Sequence, residues 1–169
     1  MPLSHVKLLA AAGLAGGVLV LAGCGGSSGP SKAQFVAKAD AICKTTQAQI
    51  TPLVNEIAAA GAKLLTGAAS ATRQVATVVQ HLHSVAAGSL AKLRALAQPN
   101  ADHKAIQKFL TPLASIVDSM SKAASALSQG QGPQALALLQ TAQPLAQEVT
   151  GAAKDYGLRQ CESVLSALG

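Results

Sequence analysis

From about residue 32 onward the apolar residues recur every three or four positions, and no stretch sustains the every-second-residue alternation of a half-buried strand. The pattern predicts an all-α chain, punctuated where Gly, Pro and Asn gather. A first helix is expected from about Lys32 to Leu65, with Phe35, Ala39, Ile42, Ile50, Leu53 and Ile57 facing inward and Gly67 as its stop. A second runs from about Ser70 to Ala97 behind a stripe of Val75, Val78, Leu82, Val85, Leu93 and Leu96, and Pro99 ends it. Asn100 is placed to cap a third, from about Ala101 to Gln129, whose apolar positions are Ile106, Phe109, Leu113, Val117, Met120 and Leu127 and which Gly130 closes. Pro133 suits the first turn of a fourth helix, expected to reach about Leu168 with irregularities at Pro144, Gly151 and Gly157. Connections this short make neighbours antiparallel. The expected architecture is therefore an up-down-up-down four-helix bundle, kinked by its internal prolines.

The first 30 residues obey a different pattern. Lys7 supplies a positive charge, Leu8 to Leu21 an apolar run, and Leu21-Ala22-Gly23-Cys24 a small-residue approach to a cysteine. A transmembrane helix needs about 20 apolar residues, and this run is shorter and broken by Gly13, Gly16 and Gly17, so an export signal is the better reading. The segment resembles the bacterial lipoprotein signal. That resemblance implies residues 1–23 as a cleaved signal peptide, lipidation of Cys24 with palmitate-class acyl chains, and a location on the extracytoplasmic face of the cell membrane. An ordinary signal peptide with a chance cysteine, releasing a soluble secreted protein, is the competing reading. No twin-arginine pair is present, which favours the general export route. Residues 24–30 then form the lipidated cysteine and its tether: Gly25-Gly26-Ser27-Ser28-Gly29-Pro30 cannot pack and, as a random coil, reaches about 13 Å. Residues 31–169 are one domain's worth of chain, long enough for a real core.

Composition narrows the partners. The formal charge is +6, yet only 12% of residues are charged, so solubility rests on Gln, Ser and Thr. A basic surface near a bilayer favours anionic headgroups or anionic envelope polymers, but Lys and Arg are scattered without a run and read first as a solvated face. The aromatic residues are Phe35, Phe109 and Tyr156, with no Trp. Nucleic acids and sugars are usually gripped by stacking platforms, so this scarcity argues against both.

Besides Cys24 the chain has Cys43 and Cys161, in a compartment outside the reducing cytosol. Folding the chain back at turns near residues 68, 99 and 131 places Cys43 level with about residue 156. Cys161 is five positions on, about 7.5 Å along a helix, which kinks and turn uncertainty can absorb. A Cys43–Cys161 disulfide is expected; two separate structural thiols are the alternative. No Cys-x-x-Cys is present, so thiol catalysis is not expected. Ala39-Asp40-Ala41-Ile42-Cys43 and Tyr156-Gly157-Leu158-Arg159-Gln160-Cys161 resemble paired signatures of small Ala-rich helical lipoproteins and secreted proteins of high-GC bacteria. This resemblance covers the two ends of the chain, supports the cysteine pair, and implies no activity or cofactor.

Chemistry is sparse. Asp40, Glu56, Asp102, Asp118, Glu148, Asp155 and Glu162 form no inward-facing pair at helical spacing. Asp155 and Glu162 share a face, which a solvated helix surface explains. Glu-x-x-His motifs for a di-metal bundle, Cys-x-x-Cys-His for haem attachment, phosphate-binding glycine loops and nucleophile elbows are all missing. The expectation is a non-enzyme, with no catalytic residue, metal or cofactor. His81 and His83, two apart on a helix, point about 200° from each other and cannot share an ion unaided. His103 lies about 20 Å from that pair by the same fold-back. Haem binding through Tyr156 or a histidine is a weaker option.

The internal prolines say more. Pro52, Pro112 and Pro144 each remove a backbone bond, releasing the carbonyls of Ala48, Lys108 and Gln140. The fold-back puts all three within about one turn of a single layer, with His81 and His83 nearby. Ile50-Thr51-Pro52-Leu53 and Leu110-Thr111-Pro112-Leu113 also share a pattern that hints at duplication of a helix pair. Kinks at one height either bow the helices around a cavity or let them bend together around a tight Ala-rich core, and the second is simpler. The function expected is a membrane-anchored, non-enzymatic binding or interaction module with an envelope protein as partner. The alternative is a carrier or sensor of a small apolar ligand at the layer of Pro52, His81, His83, Pro112, Gln140 and Pro144. A void of several hundred Å³ there favours the carrier; close packing disfavours it.

Overall fold

The computed structural model describes residues 29–64 and 69–166. The chain is helical as expected, with α1 at Lys32–Leu64, α2 at Ala69–Ala95, α3 at His103–Ser128, α4 at Gly132–Tyr156 and α5 at Arg159–Ser166. The signal peptide, Cys24, most of the tether, the Gly67 stop and the approach to Leu168 lie outside the described residues.

Local chemistry sets the boundaries. The Ser31 hydroxyl accepts the Gln34 N–H at 3.2 Å while Gln34 Oε1 accepts the Ser31 N–H at 2.9 Å, a reciprocal capping box that opens α1. Gly130, at φ 74°, closes α3: the N–H groups of Gly130 and Gln131 return to the carbonyls of Leu127 and Ala126 at 3.0 and 2.8 Å. Gly157, at φ 94°, does the same for α4, with Gly157 and Leu158 bonded to Lys154 and Ala153 at 3.0 and 2.8 Å. Two expectations need correcting. The fourth helix does not run through to Leu168, because the left-handed residue at Gly157 redirects the chain into α5. Asn100 caps nothing; it belongs to a 3-10 turn, Asn100–Asp102, with no side-chain cap bond. Pro52, Pro112 and Pro144 lie within unbroken helices, and α4 is also continuous through Gly151.

The four long helices form the antiparallel bundle. α1 packs on α2, α2 on α3 and α3 on α4, while α5 packs on both α1 and α4. The edge between the first and last long helices is thus closed by the short fifth one. Most of the expected inward positions are buried or half-buried, and the main core joins Phe35, Ile50, Leu93, Phe109, Val149 and Leu158. Toward the α3–α4 tip a separate cluster of Ala123, Ala126 and Ala135 takes over. Small side chains let those two backbones approach closely, which suits a core with few aromatics.

The Cys43–Cys161 disulfide is present, with Cα atoms 4.9 Å apart. The five-residue offset in the straight-helix map is absorbed by the turn at Gly157, which lays α5 against α1. No described helix is long and apolar enough to cross a membrane.

Candidate functional site

Two places concentrate interactions: the end of the bundle where the chain enters α1, hereafter the base, and an apolar hollow above the disulfide. At the base, Phe35 and Tyr156 meet edge to face with ring centroids 5.9 Å apart, and Lys32 Nζ sits 4.4 Å from the centre of the Tyr156 ring. The Tyr156 hydroxyl donates to Asp102 Oδ2 at 2.8 Å. Burial first, and then the hydrogen bond to Asp102 and its negative charge, hold the Tyr156 hydroxyl well above the usual tyrosine range. Asp40, from α1, accepts the backbone N–H of Gln160 at 3.0 Å and so caps the first turn of α5 from another helix. Gly29 lies at the same end: a Cβ added to it would come within 4 Å of the Gln98 carbonyl and the Asn100 side chain.

The hollow measures about 70 Å³. Its walls come from α1, α2, α3 and α5, and include Leu82, Leu90, Leu113, Met120 and Val164 together with both disulfide cysteines. The polar groups at its edge satisfy each other: Thr46 donates to the Ile42 carbonyl at 2.9 Å and pairs with Ser89. No α4 side chain lines it.

The residues expected to form a ligand layer differ in exposure and do not reach the hollow. Pro52, His81, Gln140 and Pro144 are exposed, His83 is half-buried and Pro112 is buried. None of the six lines the hollow, which instead takes their neighbours Ile50, Leu82 and Leu113. The physical reason is periodicity. Equal height on four helices is not equal azimuth: Pro52 and Pro144 fall on outer faces, where a freed carbonyl meets water, whereas Pro112 is buried. His103 is exposed at the start of α3. Among the described residues no group of three or more His, Cys, Asp or Glu could hold a metal ion. The base cluster escaped sequence reading, although Asp40 and Tyr156 stand inside the two cysteine signatures; a carboxylate capping a helix 120 residues away has no local signature.

Compared with protein-family models, with curated proteins and with solved structures, the chain matches none of them.

Proposed function

We propose that the chain is a lipid-anchored, non-enzymatic binding module on the extracytoplasmic face of a bacterial membrane. The observation that carries this reading is Leu21-Ala22-Gly23-Cys24 ahead of a short Gly/Ser tether. The disulfide supports it, since such a bond persists in an oxidising compartment. For an interaction role, Leu136 and Leu139, one turn apart on α4, leave 57% and 39% of their surface exposed and so offer apolar contacts to a protein partner. The test is intact-mass analysis of protein extracted from membranes by detergent. Cleavage before Cys24 with an acyl-sized mass increment is expected, and Cys24→Ser should abolish that increment. An uncleaved or unmodified Cys24 in the native protein sinks the anchor.

A second reading, carriage or sensing of a small apolar ligand, is favoured by the hollow. At about 70 Å³ it falls well short of the roughly 300 Å³ or more of a drug-sized site. It suits a few methylene groups, such as the end of an alkyl chain. Displacement of a bound fluorescent fatty acid, abolished by Leu113→Trp filling the hollow, tests it; no probe binding excludes it.

A further inference from the structure

We propose that the base of the bundle is an electrostatic docking surface for a bilayer rich in anionic phospholipid; its orientation toward the bilayer rests on the anchor reading above. Basic residues that look scattered along the chain converge here, because antiparallel neighbours bring alternate helix ends together. Lys32 and Lys38 lie in the first turns of α1, and Lys92 and Arg94 in the last turn of α2. Lys104 and Lys108 open α3, Lys154 is in the last turn of α4, and Arg159 begins α5. All eight are exposed. Among the described residues the ion pair within 4 Å is Lys122–Asp118, higher on α3, so no carboxylate neutralises these eight by direct contact.

Four carboxylates share the base: Asp40 and Asp102, already engaged by Gln160 and Tyr156, with Asp155 and Glu162. Eight cations against four carboxylates leave a formal +4 there. Over the rest of the described side chains, Lys44, Arg73 and Lys122 balance Glu56, Asp118 and Glu148. Charge is therefore polarised along the bundle axis. Each of the eight lies within about 10 Å of its helix end by the 1.5 Å rise, comparable with the Debye length of about 8 Å at physiological salt. A plane touching that end feels them together.

The exit of the chain fixes the partner. Gly29 lies at the base, where an added Cβ would meet Gln98 and Asn100, and Cys24 is five residues earlier, a span of at most about 18 Å fully extended. Acyl chains on Cys24 would hold this face, and not the opposite tip, against the headgroups. Acylation at Cys24 and a polybasic face would then act on the same bilayer together.

The experiment uses the chain from residue 24 with Cys24→Ser, which contains every described residue, oxidised at Cys43–Cys161 and carrying no acyl group. Co-sedimentation with phosphatidylglycerol-containing vesicles is compared with pure phosphatidylcholine vesicles. Binding to the anionic vesicles alone is expected, weakening about tenfold or more from ~0.05 to ~0.5 M salt. Replacing Lys92, Lys104 and Lys108 together by Gln should weaken it on the order of tenfold or more. The equal charge loss of Lys44→Gln, Arg73→Gln and Lys122→Gln should cost less than about threefold. Circular dichroism confirms that both triple variants fold. No binding to anionic vesicles, equal loss in the two variants, or retention on a soluble polyanion without vesicle binding overturns the proposal. Vesicle binding with an unacylated native Cys24 overturns the anchor and leaves the surface standing; an acylated Cys24 with no vesicle binding does the reverse.

Discussion

Tyr156 makes three contacts at once: the ring of Phe35, the charge of Lys32 and the carboxylate of Asp102. Its hydroxyl is held protonated in the fold, with a folded pKa raised above the ordinary value of 10.0. The stability this contributes is fully present below pH 10 and is lost as pH rises through the raised folded value, because the unfolded phenol gives up its proton first. Denaturation midpoints should thus be insensitive to this group through neutral pH and fall above pH 10. Tyr156→Phe should flatten that alkaline limb while costing about 1–2 kcal/mol for the lost bond to a charged acceptor. The chain has one tyrosine and no tryptophan, so tyrosinate absorbance during alkaline titration reads this residue alone. A hydroxyl that titrates at the ordinary value in the folded protein would contradict the geometry.

At the scale of elements, the instructive one is α5. Its eight residues cannot hold a helix by themselves; three attachments do so, namely the disulfide, the Asp40 cap and the left-handed turn at Gly157. Gly157→Ala puts a Cβ into a positive-φ conformation and should cost about 1–2 kcal/mol. Asp40→Ala removes the cap and should cost about 1 kcal/mol, seen in hydrogen exchange as faster opening at Gln160 with little change in α2 or α3. Uniform loss of protection would mean α5 is not a separable unit. The long helices were legible in the sequence because a 3.6-residue period over 25 residues or more leaves little ambiguity, and Pro99, Gly130 and Pro133 mark the turns. The disulfide was legible too, once antiparallel order was assumed. Height along the bundle could be counted, but azimuth could not: Pro52 and Pro144 face water while Pro112 is buried, and the hollow takes Ile50 and Leu113 instead. Gly157 was visible as an irregularity. That it ends α4 depends on where Cys161 and Asp40 lie, which is tertiary information.

For the whole molecule, the Cys43–Cys161 bridge encloses most of α1 and all of α2, α3 and α4 in one loop, with a sequence separation of 118. The chain-entropy treatment gives roughly 4–5 kcal/mol for a loop that long. Denaturation with and without reductant should differ by about that amount, and the Cys43→Ala, Cys161→Ala double variant should match the reduced protein. A difference under about 1 kcal/mol would show that the unfolded chain is already compact. The loop also governs how the molecule bears load. If Cys24 is fixed to a membrane and a partner pulls on the far end of the chain, tension enters along α1 only as far as Cys43, crosses the sulfur bridge and leaves through Cys161. Residues 44–160 lie off that line of force. In single-molecule stretching, the oxidised chain should lengthen only by the segments outside the loop, and the bundle should behave as a shackle until the bond is reduced.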